Sequence, residues 1–95
     1  MAAYLIARVN VTDPEQYEKY KALTPAAVAA HGGKFIARGG ETVTLEGEEE
    51  DRRVVVIEFP SFEVAKNFYD SPEYKTARAE RENAADGQFV LVDGA

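Results

Sequence analysis

Hydrophobic and polar side chains alternate along residues 3–11, AYLIARVNV, and this two-residue period predicts a β-strand. The period then changes to that of a helix, which Thr12 or Asp13 can cap and whose first turn Pro14 suits. Gly32 stands where a helix commonly ends in a left-handed residue. The apolar sector of this predicted helix comprises Tyr17, Tyr20, Thr24, Ala27, Val28 and His31.

One residue interrupts the predicted helix. Pro25 has no backbone N–H, so it removes one intrahelical hydrogen bond. We therefore expect a kink at this point, or a second helix that begins with Thr24 as its cap.

The second half of the chain repeats the change of period. KFIARGG and TVTLEG predict two short strands, and RRVVVIEFP is the strongest strand pattern of the chain, ended by Pro60. Ser61 caps a second predicted helix, which breaks at DSPEY, restarts with Ser71 as its cap and runs to about Asn83. GQFVLVDG is the last predicted strand. The order β-α-β-β-α-β, with a hairpin in the middle, predicts a single α+β domain over residues 1–95 with the ferredoxin-like fold and an antiparallel sheet.

Both faces of the first predicted strand are apolar. Leu5, Ala7 and Val9 point one way along with Val11, whereas Tyr4 and Ile6 point the other way. The two helices of a ferredoxin-like unit cover only one face of the sheet, so the second face needs another cover. A chain of 95 residues also builds only a small core by itself. We therefore expect a homodimer joined through the open sheet faces.

The charge balance argues against some classes of partner. Seventeen acidic and eleven basic residues give a net charge of −6, whereas nucleic-acid binding depends on Lys and Arg neutralising phosphates. The chain has no cysteine and one histidine, so we expect no metal site and no cofactor. MAAYLIARVNV resembles neither a signal peptide nor a membrane span, which makes the cytoplasm the expected location and a membrane partner unexpected.

Acidic residues form one block near the middle of the chain. Glu46, Glu48, Glu49, Glu50 and Asp51 stand directly before Arg52 and Arg53. The block lacks the alternating oxygen-ligand spacing of a calcium loop. We predict a mobile, solvated hairpin tip without a bound metal.

Three segments carry a resemblance to a known family. IEFPSFEVAKNFYDSPEY, with HGGKFIARGG upstream and ADGQFVLVDG at the end, resembles the small bacterial proteins of domain-of-unknown-function family 1330 over essentially the whole chain. The resemblance implies a dimeric α+β barrel, in which two ferredoxin-like protomers pack sheet against sheet and each keeps a cleft between sheet and helices. Relatives in the wider superfamily include cofactor-free monooxygenases, lactone isomerases, haem proteins and ligand-sensing domains, so the fold alone does not assign a function.

His31 is the first candidate for chemistry. It falls in the centre of the first helix's apolar sector, at the last turn. One interpretation is structural, with the ring hydrogen-bonded to a carbonyl near the negative helix end. The other is catalytic, with His31 as a general base that faces the cleft. The turn at Gly32 and Gly33 should direct His31 toward the sheet, near Arg8 and Glu58.

Arg8 and Glu58 form the second candidate set. Both are charges near the ends of strands that the ferredoxin-like order places side by side. They can form a cross-strand ion pair or stand as separate rim charges. Alternatively they line a polar floor of the cleft, where Arg8 would hold an anionic or carbonyl-bearing ligand.

The helix break and the ARGG run supply the other candidates. Tyr69, Ser71 and Tyr74 surround the break, where capping and packing explain them, and the family resemblance suggests a ligand-binding role. Gly39 and Gly40 allow a turn or bulge that could aim the guanidinium of Arg38 at a ligand, although a plain turn at the end of a strand explains the glycines equally well.

Two classes of function remain open at this point. The first is an enzyme or binding protein that takes a small carbonyl or phenolic metabolite into the cleft and acts by acid–base chemistry. The second is a non-catalytic dimeric domain for ligand sensing or assembly. A deep polar cleft that holds His31 would favour the first class, and a filled cleft would favour the second.

Overall fold

The structure, a computed structural model, describes residues Met1–Ala95 and has four strands and three helices. These are β1 Ala3–Val11, α1 Pro14–Ala30, β2 Lys34–Arg38, β3 Arg53–Phe59, α2 Phe62–Tyr69, α3 Pro72–Arg81 and β4 Ala85–Asp93. The strands form one antiparallel sheet in the order β2-β3-β1-β4. The predicted α+β, ferredoxin-like fold is therefore confirmed, with its second helix divided into α2 and α3.

The alternation in β1 separates a helix-covered face from an outer face. Leu5, Ala7 and Val9 are buried in one core cluster with α1, α2 and α3, whereas Ile6 and Arg8 are only partly covered. The pairing of β1 with β3 and β4 carries the same division across the sheet. The outer face has no helix on it, as expected for a ferredoxin-like unit, whose helices cover one face of the sheet.

Local capping explains where each helix begins. Oδ1 of Asp13 accepts a hydrogen bond from the Gln16 backbone N–H at 3.2 Å, and Ser61 caps α2 in the same way. Ser71 caps α3 by accepting from the Tyr74 N–H at 3.2 Å. Gly32 follows α1 with a φ of 72°, which confirms the predicted left-handed ending. None of the helices is long and apolar enough to cross a membrane.

Of the two outcomes expected at Pro25, a kink or a restart of the helix, the restart is wrong. The helix continues from Pro14 to Ala30, and the Thr24 hydroxyl donates to the Tyr20 carbonyl at 2.8 Å inside the helix. Pro25 leaves the carbonyl of Lys21 without its helical donor. Arg38 supplies the missing donor, since its Nη2 lies 3.1 Å from that carbonyl oxygen. The helix thus tolerates a proline because a side chain from β2 replaces the lost hydrogen bond.

The predicted strand TVTLEG is also wrong. Residues 39–52 connect β2 to β3 without a strand, and Val43 and Leu45 are 71% and 87% exposed. Both long edges of β3 are already occupied, by β1 and β2, so the alternating segment finds no strand to pair with there. Its hydrophobic alternation is real, but a strand also needs a partner for its backbone hydrogen bonds.

Part of the acidic block is held in place, unlike the expected solvated tip. Glu50 Oε1 lies 3.2 Å from Arg8 Nε, and its Oε2 lies 2.9 Å from Arg52 Nε. Hydrogen bonds from Arg52 lower the pKa of Glu50 below its ordinary value. The Glu50 backbone N–H also donates to the Thr44 hydroxyl at 2.8 Å. The end of the connection is therefore tied to the outer face of the sheet, on which Arg8 stands.

Candidate functional site

A narrow cavity of about 30 Å³ lies between the sheet and the helices. Its apolar walls come from the helix-facing residues of β1 and β3, and from Phe35 and Phe89. Its polar groups are the side chains of Tyr17, Tyr20, Lys21, Thr24, Arg38, Arg53 and Tyr74. The volume is enough for one or two water molecules but well below the several hundred Å³ of a typical ligand pocket. A metabolite can enter only if side chains that line the cavity move.

Three tyrosines form the α-helical side of the cavity. The hydroxyl oxygens of Tyr20 and Tyr74 are 2.7 Å apart, and either can be the donor. Burial raises the pKa of Tyr20 above its ordinary value, and the neighbouring Tyr74 adds to the rise; burial also raises the pKa of Tyr74. Burial raises the pKa of Tyr17 as well, although the charge of Arg53 opposes it. All three phenols are therefore neutral near pH 7 and act as hydrogen-bonding groups rather than bases.

Arginines surround these phenols without carboxylate partners. The Nε atoms of Arg53 and Arg81 are buried and have no hydrogen-bond partner. The guanidinium of Arg81 stacks over Phe89 at 4.3 Å and lies 5.4 Å from the ring centre of Tyr20. Arg38 stacks over a phenylalanine ring of the same strand and takes part in no ion pair either. The side chains around the cavity therefore carry a local positive charge, although the whole chain is acidic.

His31 does not lie where the sequence places it. Its Nε2 is 3.0 Å from Glu73 Oε1, and the centre of its ring lies 5.8 Å from that of Phe68 in a T-shaped arrangement. The pair joins the C-terminal end of α1 to the first turn of α3, and His31 does not line the cavity. The expectation that it points toward Arg8 and Glu58 is wrong, because the helices and those two charges lie on opposite faces of the sheet.

Arg8 and Glu58 do not form a pair or a floor of the cavity. Arg8 stands opposite Val54 in the sheet, whereas Glu58 stands opposite Tyr4, four residues further along β3. That offset is about 13 Å along the strand. Both side chains are on the outer face, where Arg8 binds Glu50 and Glu58 lies 3.3 Å from Lys34 Nζ. The polar-floor hypothesis for these two residues is therefore wrong.

The residues around the helix break have different positions. Tyr74 is 1% exposed and lines the cavity. Ser71 serves the cap, since its hydroxyl donates to the Phe68 carbonyl at 2.7 Å while accepting from the Tyr74 N–H. Tyr69 lies outside the cavity, between Tyr74 and the guanidinium of Arg78. Of the seven candidate residues, the structure brings only Arg38 and Tyr74 to the cavity.

A family model for a domain of unknown function, DUF1330, matches residues 2–95. The chain belongs to this family. The resemblance seen in the sequence is thus confirmed over nearly the whole chain. No curated protein matches it.

Solved structures that resemble this DUF1330 protein share its fold. A protein of unknown function from Rhodopseudomonas palustris is 21% identical with a TM-score of 0.75, covering 99% of this chain and 82% of that one. The cofactor-independent oxygenase SnoaB from Streptomyces nogalater is 16% identical with a TM-score of 0.70, covering 99% and 93%. A dimeric ferredoxin-like protein from Thermobifida fusca is 20% identical with a TM-score of 0.67, covering 99% and 92%. Identities this low establish the fold that these proteins share with the DUF1330 chain.

Sequence reasoning missed five polar residues that line the cavity in this DUF1330 protein, namely Tyr17, Tyr20, Lys21, Thr24 and Arg53. Tyr17 and Tyr20 were recognised only as members of an apolar sector, and Arg53 only as the end of a charged block. The alternation in β3 contains the missing signal, because Arg53 has the same parity as Val55 and Ile57, which face the helices. A charge on the buried parity of a strand marks a candidate site.

Proposed function

We propose that this protein binds a small carbonyl or phenolic metabolite in the cavity between its sheet and its helices. The observation that carries the proposal is the Arg53 guanidinium, which borders the cavity with a buried Nε that has no hydrogen-bond partner. An N–H group removed from water without an acceptor costs free energy. An oxygen atom of a bound ligand would supply that acceptor.

The other cavity groups fit the same ligand class. Neutral phenols such as that of Tyr17 donate a hydrogen bond to a carbonyl or phenolic oxygen. The strand side of the cavity is aliphatic and suits the apolar body of a ring or short chain. Such a ligand requires a wider cavity than the 30 Å³ present. Phe35 lies on the edge strand β2, so its movement would widen the cavity without separating β1, β3 and β4.

The proposal includes one chemical step, the loss of a proton from the bound ligand. SnoaB is described as a cofactor-independent oxygenase, and a structurally similar protein from Caulobacter crescentus as a putative antibiotic biosynthesis monooxygenase. Positive guanidinium groups near a bound phenol or enolisable ketone stabilise the anion that forms when it loses a proton. Arg38 and Arg53 are the groups in this chain that would do so.

Ligand sensing without catalysis is the second candidate. The observation that favours it is the lack of a general base on the cavity wall. Tyr17, Tyr20 and Tyr74 are neutral phenols, and His31 lies at the helix ends instead. A ligand would then be bound but would need to arrive as an anion or pass its proton to water.

A homodimer through the outer sheet face accompanies either function. Val90 and Val92 are 39% and 45% exposed on that face, and Ile6, Val54 and Val56 continue it across the sheet. The similar Thermobifida fusca protein is described as dimeric.

Sedimentation tests this interface. We expect the wild type to sediment as a dimer at micromolar concentration and Val92→Glu to sediment as a folded monomer. Ala79→Glu, on the exposed side of α3, is the control and should remain a dimer. A monomeric wild type would refute this part of the proposal.

A small molecule that carries both a carbonyl and a phenol group tests the binding proposal. We expect para-hydroxyacetophenone to bind the wild type in isothermal titration. Tyr17→Phe should weaken this binding about three- to ten-fold, as for one lost hydrogen bond. Tyr4→Phe, which removes a hydroxyl from the outer face, and His31→Ala should bind as the wild type does. Absence of binding, or loss only in His31→Ala, would refute the proposed site.

A further inference from the structure

The mouth of the cavity is bordered by three cationic side chains. Lys21, Arg38 and Arg53 line both the narrow cavity and an open depression on the surface outside it. Residues shared by an inner and an outer space lie at the boundary between them. A ligand that enters by this route must pass these three charges.

Only one of the three cations is neutralised. Lys21 Nζ lies 3.1 Å from Glu18 Oε1, and Glu18 is the one carboxylate that lines the depression. Arg38 and Arg53 have no carboxylate partner, although the chain contains seventeen acidic residues. Carboxylates elsewhere pair with Arg8, Lys34, Arg52 and Lys66. The mouth therefore retains a local positive charge that the rest of this acidic protein does not cancel.

The backbone holds both guanidinium groups in position. Arg38 donates to the carbonyl of Lys21, which is free because Pro25 has no N–H to give it. Arg53 packs against Gly39, where an added Cβ would collide with the guanidinium, and Gly39 has a φ of 72° that favours glycine. The ARGG turn and the proline inside α1 thus keep space and a hydrogen bond for two arginines. Groups held in advance bind a ligand at a lower entropic cost.

We propose that the natural ligand is a small organic carboxylate, with its carboxylate bound by Arg38 and Arg53 at the mouth and its apolar body inside the cavity. This inference rests on the proposed function, since it names the class of ligand that the cavity takes. Guanidinium groups bind carboxylates with charge-assisted hydrogen bonds, which are stronger than neutral ones. The buried Nε of Arg53 and the aliphatic strand wall recognise the two parts of such a molecule.

A matched pair of probes tests the charge requirement. Para-hydroxybenzoate and para-hydroxybenzamide have nearly the same shape, but only the first is an anion near neutral pH. We expect the wild type to bind the benzoate at least about ten-fold more tightly, as for a charge-assisted hydrogen bond. Arg53→Gln and Arg38→Gln should bring the two affinities within about two-fold. Arg52→Gln makes the same change in net charge away from the mouth and should keep the preference.

The experiment distinguishes failure of the carboxylate inference from failure of the proposed cavity site. Nuclear magnetic resonance can follow the Arg53 Nε–Hε signal as a reporter of anion binding, and the ring signals of Phe35 as a reporter of cavity entry. If both probes bind equally and move only the ring signals, the carboxylate inference is overturned while the proposed cavity site stands. If the benzoate moves the Arg53 signal without the ring signals, the anion site stands and the cavity site is overturned. If neither signal moves, both are wrong.

Folding controls keep the result interpretable. Thermal melting of each variant shows whether it is folded at the titration temperature. If Arg53→Gln is unfolded, Arg53→Lys keeps the charge but loses the planar fork, and it should retain only part of the preference for the benzoate. An unchanged preference in both Arg53→Lys and Arg38→Gln would overturn the inference.

Discussion

Replacement of Tyr20 by phenylalanine tests the hydroxyl pair at the centre of the fold. The ring stays and so does its packing, while the hydroxyl that lies 2.7 Å from the Tyr74 hydroxyl is removed. Tyr74 is 1% exposed, so its hydroxyl cannot turn to bulk water. The loss of a partner for a buried polar group costs about 1–3 kcal/mol. We therefore expect Tyr20→Phe to lower the free energy of unfolding by that amount.

A double-mutant cycle separates the hydrogen bond from the rest. The double variant Tyr20→Phe/Tyr74→Phe removes both hydroxyls, so neither is left buried without a partner. Its loss of stability should therefore be smaller than the sum of the losses in the two single variants. We expect a coupling free energy of about 1 kcal/mol or more between the two positions. Tyr69→Phe, which removes a hydroxyl outside the cavity, should change stability by at most about 0.5 kcal/mol.

Equilibrium urea unfolding followed by circular dichroism gives these free energies. All variants should be measured at one protein concentration, because dimer formation makes apparent stability depend on concentration. An unchanged denaturant slope would show that only stability has changed. Additive single variants, or a Tyr20→Phe effect as small as that of Tyr69→Phe, would show that the hydroxyl pair does not stabilise the fold.

Three further changes test other parts of the structure. Gly32→Val should lower the free energy of unfolding by about 1–3 kcal/mol, because a β-branched residue is strained at a φ of 72°. Gly40→Val, with open space around the glycine, is the control in the same thermal melts. Equal losses of stability in the two variants would contradict this explanation. Because burial raises the folded-state pKa of Tyr20, its contribution to stability is complete below about pH 10, where the unfolded phenol ionises, and is lost above it at up to about 1.4 kcal/mol per pH unit. Tyr20→Phe should fall less steeply than wild type in the same alkaline unfolding series, and identical slopes would contradict this. Arg38→Ala should cost about 0.5–1.5 kcal/mol in wild type but less in the Pro25→Ala background, where the helix supplies its own donor; equal costs in the two backgrounds would show that the bond to the helix carbonyl is not stabilising.

Sequence reasoning succeeded for this protein where neighbouring residues decide the outcome. The caps at Asp13, Ser61 and Ser71 act on backbone groups three residues away, so their effect can be recognised without a tertiary structure. The same holds for Gly32, whose left-handed conformation depends on its missing Cβ. The alternation of β1 likewise separated the core face from the outer face.

The candidate site needed information that no local pattern contains. The segment TVTLEG has a strand pattern, but it pairs with no strand, and the adjacent β3 is already flanked by β1 and β2. Arg8 and Glu58 are on neighbouring strands, yet the register sets them four positions apart on the outer face. His31 finds Glu73, a residue forty-two positions away on a different helix. Pairings of this kind depend on strand register and helix packing, which are set by the whole core at once.

The cavity shows both what the sequence determines and what the tertiary structure adds. The sequence by itself determined that Tyr17 and Tyr20 share one helix face and that Arg53 has the buried parity of its strand. Only the tertiary structure decided that Arg38 would reach the carbonyl freed by Pro25 and that Gly39 would leave room for Arg53. Periodicity fixes which side of an element a residue faces, because it follows from backbone geometry. What the residue meets on that side depends on how the elements pack, because that contact joins residues that are distant in the chain.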